Sequence, residues 1–365
     1  MKRASPTVGA VITVVTIFSA ACHHGPPPDF APDPGLVEQI REIRIATGTR
    51  ACPGETFGAT YTAVLNDGGL VTFESRYDRK HPPRLHVSFL DRTSDQATPL
   101  EGGAWSADPD ALASAVTGFR LTASLKAKLS ITTTAALTPD YACMSHAFGF
   151  RGAGPGAGGP QVTVRLGILR SPFYERLLVA GVEVEDAPPF YVFADANAVP
   201  PSDWLVIEAR GARGARGSDG EPGTRGAPGA SGCPGGVGGP GGNGGNGGPG
   251  GYGGRGGQIT VVAPAEEPFL AGLVDASTPG GEAGPGGAGG RGGAGGVGGE
   301  SSTPSNTACA KGAAGPAGRP GVRGADGRDG QPGNRAQILT VPARDVWGTR
   351  VPPALVDLLN YRARR

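Results

Sequence analysis

The chain has 365 residues, 66 of them glycine and 35 proline, and a formal net charge of +1. That length accommodates two domains, and a charge so near zero excludes a general electrostatic affinity for nucleic acid. Glycine and proline make up more than a quarter of the residues, as in collagenous chains, but the excess is concentrated between residues 205 and 343.

Lys2 and Arg3 precede an apolar stretch from Val8 to Ala21 that ends Ser19-Ala20-Ala21-Cys22. A basic start, a short apolar core and small residues before a cut define an export signal over residues 1–21, too short to stay as a membrane span. The cysteine after the small residues resembles the lipobox of bacterial lipoproteins, although Ser19 stands where leucine is commonest. The resemblance implies acylation of Cys22 and a lipid-anchored protein. His23 rather than aspartate follows it, which by the same resemblance implies the outer membrane or cell surface of a Gram-negative bacterium. Residues 22–35 hold Pro26-Pro27-Pro28, Pro32 and Pro34 and read as an extended tether. The adjacent His23 and His24 read as part of that tether, not as metal ligands.

With Cys22 used for acylation, four cysteines remain: Cys52, Cys143, Cys233 and Cys309. An exported compartment favours disulfides, and the economical pairing is Cys52 with Cys143 and Cys233 with Cys309. None of the spacings is CxxC, so zinc and redox chemistry are not expected.

Residues 36–204 read as a β-sandwich-like domain. Phe119 to Thr132 alternates apolar and polar residues throughout, a long half-buried strand that is bent or split. Leu85, Val87 and Phe89 alternate too, which turns His86 outward to solvent; His81 and His146 are isolated. Shorter strands are expected over 63–65, 70–73, 162–168, 179–184, 190–193 and 205–207, separated by turns such as Asn66-Asp67-Gly68-Gly69. One short helix is expected over 109–116, with Asp108 as its N-cap. Strands at this spacing indicate a mainly β fold with an antiparallel sandwich.

From Gly211 to Gly256 glycine holds every third position, and from Gly235 a second glycine joins each triplet. Period three is that of the polyproline II helix, and each glycine bares one edge for a neighbouring backbone. The run from Gly281 to Gly299 keeps the phase, as does the run from Gly312 to Gly333. Three glycine stretches empty into short strands that begin with glutamine: Gln161, Gln258 and Gln337. Three readings stand for residues 205–343. One is a bundle of polyproline II helices from a single chain, doubled-glycine helices inside and single-glycine helices at the rim. The others are a collagen-like trimeric stalk and a disordered segment.

The triplets from Gly247 to Gly257 feeding Ile259-Thr260-Val261-Val262 resemble the N-terminal glycine-rich domain of Obg-family GTPases, in which polyproline II helices stand on a small β-barrel. No GxxxxGK[ST] occurs in the chain, so the resemblance implies architecture without GTPase activity. The whole layout is also similar to collagen-like, glycine-rich surface lipoproteins of predatory soil bacteria.

No HExxH, GxSxG or paired-carboxylate motif occurs, so the protein reads as non-enzymatic, with no cofactor or metal. Asn243 and Asn246 resemble calcium-binding nonapeptide repeats but lack the required aspartates. Tyr252 and Arg255 project from a glycine helix. Arginines alternate with Asp219 and Glu221, and with Asp326 and Asp329, as a solvated mixed surface. The tail, residues 344–365, holds a short helix from Ala354 to Tyr361 followed by Arg362, Arg364 and Arg365, which suit its C-terminal dipole end. The expected function is that of an acyl-anchored envelope protein with a structural or adhesive role. The membrane is its partner through the lipid, and self-association or a surface ligand is possible. The alternatives are a secreted module that binds glycan or ice on a flat glycine-helix face and the trimeric stalk.

Overall fold

The computed structural model describes residues 26–185, 187–198, 204–302, 309–349 and 351–361. The expected signal 1–21, Cys22, His23, His24, Arg362, Arg364 and Arg365 lie outside the described residues. The fold is mainly β, and the chain divides into two compact units. The first comprises the described parts of Met1–Thr49, with Thr56–Ser106 and Arg120–Leu137; the second comprises Arg50–Glu55, Ala107–Phe119 and the described parts of Thr138–Arg365. The expected 36–204 domain is therefore divided, and residues 138–204 share a unit with the glycine-rich segments.

In the first unit, helix α1 (Pro34–Gln39) starts where Asp33 accepts a hydrogen bond from Gly35 N at 2.9 Å and Pro34 opens the turn. Strand β1 (Ile40–Thr47) pairs antiparallel with β2 (Ala59–Leu65), which pairs antiparallel with β3 (Leu70–Thr72). The Asn66–Gly69 turn joins β2 and β3; Gly68 has φ 86°, and Gly69 N donates to Asp67 Oδ1 at 2.8 Å. Strand β4 (Leu90–Thr93) is antiparallel to β5 (Phe119–Leu125). The core gathers Ile40, Ile43, Tyr61, Leu85, Ala123 and Leu125. Trp105 Nε1 donates to the Tyr61 hydroxyl at 2.7 Å, and that hydroxyl donates to the Gly103 carbonyl at 3.2 Å, so both buried polar tips are satisfied.

Three expectations need correction here. The alternating run from Phe119 to Thr132 does split, at Lys126–Ala127, into β5 and β6 (Lys128–Pro139), but Leu129 is 66% exposed because the chain has just reversed. Leu85 to Phe89 is not a strand. Val87–Phe89 forms one 3-10 turn with His86 at its N-cap, and the imidazole accepts from Ser88 N at 3.2 Å. His86 is thus buried, not solvated. The tether is not free beyond Pro26, since the Phe30 ring packs against Tyr77 at 4.9 Å and Phe89 at 5.0 Å.

The second unit is built on two sheets around one core. Strands β7 (Ala147–Arg151), β8 (Gln161–Leu169), β9 (Leu177–Val184), β10 (Phe190–Asp195), β11 (Leu205–Arg210), β12 (Gln258–Pro264), β13 (Val274–Ser277) and β14 (Gln337–Val341) follow in chain order. One sheet runs β10-β9-β8-β12-β14, antiparallel at its β10 side and parallel from β8 onward. The other, β7-β11-β13, is parallel throughout. Antiparallel pairs are present as expected, but parallel pairs occur beside them. Parallel neighbours need long connections, and the glycine-rich segments supply them. The three glutamine-initiated strands β8, β12 and β14 are consecutive parallel neighbours, with Gln161 opposite Gln258. Val164, Leu166, Ile207, Ala209, Ile259 and Val261 lie in the shared core.

Strand β9 is buried on both faces. Its Leu178, Ala180 and Val182 face that core, while Leu177 and Val179 join Phe193, Trp347 and helix α3 (Pro353–Asn360) in a second cluster. Gly167 makes room for the indole: a Cβ there would sit 2.9 Å from Trp347 Cζ2. Arg165 Nη1 donates to the Val346 carbonyl at 2.9 Å and ties down the same segment. Helix α2 (Ala111–Ser114) is capped by Asp110, not Asp108. Asp110 Oδ1 accepts from Leu112 N at 3.0 Å, while Asp108 Oδ1 accepts from Asp110 N at 2.8 Å, shifting the start by two residues.

Four extended segments complete the unit: I (211–232), II (235–257), III (278–300) and IV (310–333). They carry almost no ladder assigned as strand, yet their backbones bond in strict period three. In segment I, Gly214 to Gly229 donate every third N–H to carbonyls from Glu282 to Val297 of segment III, at 2.8–2.9 Å. Segment II donates from the first glycine of each doublet to segment IV, as in Gly244 N to Arg319 O at 2.9 Å. It donates from the second to segment I, as in Gly245 N to Glu221 O at 2.8 Å. Segment III donates to segment II and segment IV to segment III, as in Gly290 N to Gly245 O and Gly321 N to Gly290 O, both 2.8 Å. Segments II and III, which hold the doubled glycines, each bond to three others; segments I and IV each bond to two.

Candidate functional surfaces

The disulfides join Cys52 to Cys143 and Cys233 to Cys309, across 91 and 76 residues. The first lies at the β-rich part of the second unit. The second clips the start of segment II to the start of segment IV, two parallel neighbours. Among the described residues, the one group with metal-ligand geometry is Cys52, Glu55 and Cys143, and its two sulfurs are already bonded to each other. The histidines do not converge. His81 is exposed beside Asp78 at 3.3 Å, His86 caps a turn, and His146 Nε2 lies 3.3 Å from the Phe193 carbonyl oxygen.

A cavity of about 890 Å³ opens in the second unit, lined mainly by Leu112, Met144, Phe148, Phe190, Tyr191 and Pro352. Among its few polar groups, Asp110 caps α2 and Ser145 Oγ donates to the Ala147 carbonyl at 3.2 Å. Burial pushes the phenols of Tyr141, Tyr174 and Tyr191 up from their ordinary range, which holds them neutral. None of these groups forms a nucleophile–base pair.

The glycine-rich segments expose a different kind of surface. At the contacts a side chain has no room: a Cβ on Gly290 would overlap the Glu221 carbonyl oxygen and lie 2.7 Å from the Gly220 oxygen. Elsewhere the non-glycine positions form straight edges. Three residues per repeat place i and i+3 on one edge, so Arg216 pairs with Asp219 at 2.8 Å and Arg323 with Asp326 at 2.7 Å. Arg213 reaches Glu282 of segment III at 3.8 Å. The N–H of Ala288 holds the Asp219 carboxyl below the usual carboxylate range, with Arg216 adding to it.

Side-chain oxygens also close backbone donors left outside the glycine ladder. Asp219 accepts from Ala288 N at 2.8 Å, Asp326 from Gly286 N and Asp329 from Ala283 N at 2.7 Å. Asn243 and Asn246 do the same for Arg319 N and Val322 N, at 2.8 and 2.9 Å. Their resemblance to calcium repeats therefore has a simpler cause, because both oxygens are used on backbone. Sequence reasoning missed this capping set, although its signal was present as polar residues in phase with the triplets. Tyr252 is 70% exposed on segment II, and Arg255 Nη2 donates to Asn334 Oδ1 at 3.0 Å. No helix among the described residues is long and apolar enough to cross a membrane. A scan against protein-family models finds no match to the chain, and no curated protein matches it.

Proposed function

We propose that segments I to IV are polyproline II helices packed as one single-chain bundle, and that the protein is an acyl-anchored, non-enzymatic component of a Gram-negative envelope. Cys22 carries the lipid, and the bundle serves as a rigid structural or adhesive body. The observation that carries the reading is the period-three backbone ladder, in which glycine N–H groups of all four segments find carbonyls within the same chain. None of the glycines between 211 and 333 has positive φ, in keeping with a polyproline II backbone. At about 3.1 Å per residue such helices reach about 70 Å, a long lever held together by hydrogen bonds worth about 1 kcal/mol each.

The same ladder favours the single-chain bundle over a collagen-like trimer, since glycine edges satisfied within one molecule leave no edge for two further chains. Sedimentation of the purified protein tests this: a monomer is expected, and an obligate trimer would overturn the bundle. Anchoring is tested separately in cells. Cys22→Ala, or inhibition of the lipoprotein signal peptidase, is expected to block maturation and release the protein from membranes. Normal processing with membrane retention in both cases would refute the anchor.

A further inference from the structure

The outer edges of the four segments are not electrostatically alike. On segments I, III and IV several arginines are neutralised by carboxylates: Arg213 by Glu282, Arg216 by Asp219, Arg323 by Asp326, while the exposed Arg225 of segment I and Arg291 of segment III have no carboxylate partner among the described residues. Where segment II meets IV no arginine is paired with a carboxylate among the described residues. Asn243 and Asn246 of segment II cap the N–H groups of Arg319 and Val322, which places the residue after each segment IV glycine on this side. Arg319 and Arg328 occupy that position. Gly253 N donates to the Arg328 carbonyl and Gly256 N to that of Gln331, so Tyr252 stands level with Arg328 and Arg255 one triplet further along. Arg255, Arg319 and Arg328 are all exposed, and among the described residues none has a carboxylate partner. Segment II contains no acidic residue, and the carboxylates of Asp326 and Asp329 are turned to segment III.

The capping residues sharpen the contrast. The backbone donors on the other sides are closed by Asp219, Asp326 and Asp329, yet on this side the same geometry is served by asparagine. A carboxylate accepts such a bond more strongly than a carboxamide. Asparagine here therefore forgoes capping strength and keeps the side free of negative charge.

We propose that the face formed by segments II and IV binds an extended anionic polysaccharide, with Arg255, Arg319 and Arg328 as charge contacts and Tyr252 as a stacking platform for a sugar ring. Arg319 and Arg328 lie along one straight edge of segment IV, three triplets apart, about 28 Å at 3.1 Å per residue, with Arg255 beside them on segment II. A compact ligand cannot span that, whereas an extended polymer bearing carboxylate or sulfate groups can. Arginine forks pair with such groups in two-pronged fashion. One exposed aromatic ring suits a sugar face better than a run of bases, which would need several stacking rings. This inference rests on the bundle reading above, and deepens its adhesive role by naming the ligand class.

The test uses the full-length protein in detergent with polygalacturonate and dextran sulfate as probes, and neutral dextran and single-stranded DNA as comparisons. Binding to the two acidic polymers is expected, weakening as salt rises, with none to dextran and weaker binding to DNA. Arg255→Gln/Arg319→Gln/Arg328→Gln is expected to weaken binding at least tenfold, and Tyr252→Ala several-fold. Arg216→Gln/Arg323→Gln, which removes paired arginines from other sides, is expected to leave binding unchanged. Asn243→Asp/Asn246→Asp separates charge from structure: the caps and the melting temperature are expected to persist while binding falls at least tenfold. No binding to either acidic polymer by a protein with the intact bundle signature in circular dichroism would overturn the inference alone. Equal loss in the two arginine sets, or DNA binding as tight as polymer binding, would overturn it too. Loss of the circular dichroism signature in the unmutated protein would instead overturn the bundle.

Discussion

Replacing Gly290 by alanine puts the architecture of segment III at risk in a way that is calculable. Gly290 N donates to Gly245 O and its carbonyl accepts from Gly321 N, both at 2.8 Å, so the residue bonds to segments II and IV at once. A methyl group there would overlap the Glu221 carbonyl oxygen of segment I and crowd the Gly220 oxygen at 2.7 Å. The neighbour atoms are backbone and cannot rotate away, so segments I and III must separate. Overpacking costs about 1–3 kcal/mol, and losing two or three ladder bonds adds about 1 kcal/mol each. Gly290→Ala is therefore expected to cost about 3–6 kcal/mol. At roughly 3 °C per kcal/mol for a unit of this size, the midpoint falls by about 9–18 °C. Gly272→Ala is the control, because nothing lies within 4 Å of the added carbon; it is expected to change stability by less than about 1 kcal/mol. Scanning calorimetry of both variants decides the matter. Equal midpoints for the two would refute the claim that these glycines are close-approach positions.

Other outcomes follow from the same structure. Cys233→Ser/Cys309→Ser frees a loop of 76 residues and is expected to lower stability by about 4 kcal/mol, read as a drop in midpoint against the unmutated protein. Trp347→Ala empties the site against Gly167 and Tyr191 and is expected to cost about 3–5 kcal/mol in a urea titration. For pH, burial holds the His86 pKa below 6.5 in the folded protein. The unfolded chain therefore takes up the proton first as pH falls through 6.5, and stability is lost from there down toward the folded value. The first unit is expected to melt lower at pH 5.5 than at pH 7, and His86→Asn is expected to shrink that difference; an unchanged pH slope in the variant would contradict the assignment.

Much of this arrangement was legible because period carries it. Triplet glycine marks contact edges whatever the rest of the sequence does, and doubling separates segments II and III from I and IV. The glutamine-led strands at 161, 258 and 337 were also visible, as were the cysteine pairs. Two things were not. Parallel pairing of β8, β12 and β14 depends on where long connections return, which no local pattern encodes, so an antiparallel sandwich was expected. His86 was misread because alternation over five residues fits a strand and a 3-10 turn equally well; the Ser88 N–H that its ring accepts decided between them. On the candidate surface, the exposed Tyr252 and Arg255 were visible in the sequence. The alignment of Arg319 and Arg328 along segment II was not, because the register between segments II and IV is a tertiary fact.

The most direct measurement is hydrogen exchange of the glycine amides in segments II and III of the native protein, resolved by peptide mass spectrometry. If four helices of one chain bond through these groups, Gly287 to Gly299 and Gly236 to Gly254 exchange as slowly as the β-sheet core around β8 and β12. If those amides exchange within seconds while the sheet stays protected, the segments are not a packed bundle and the central claim fails.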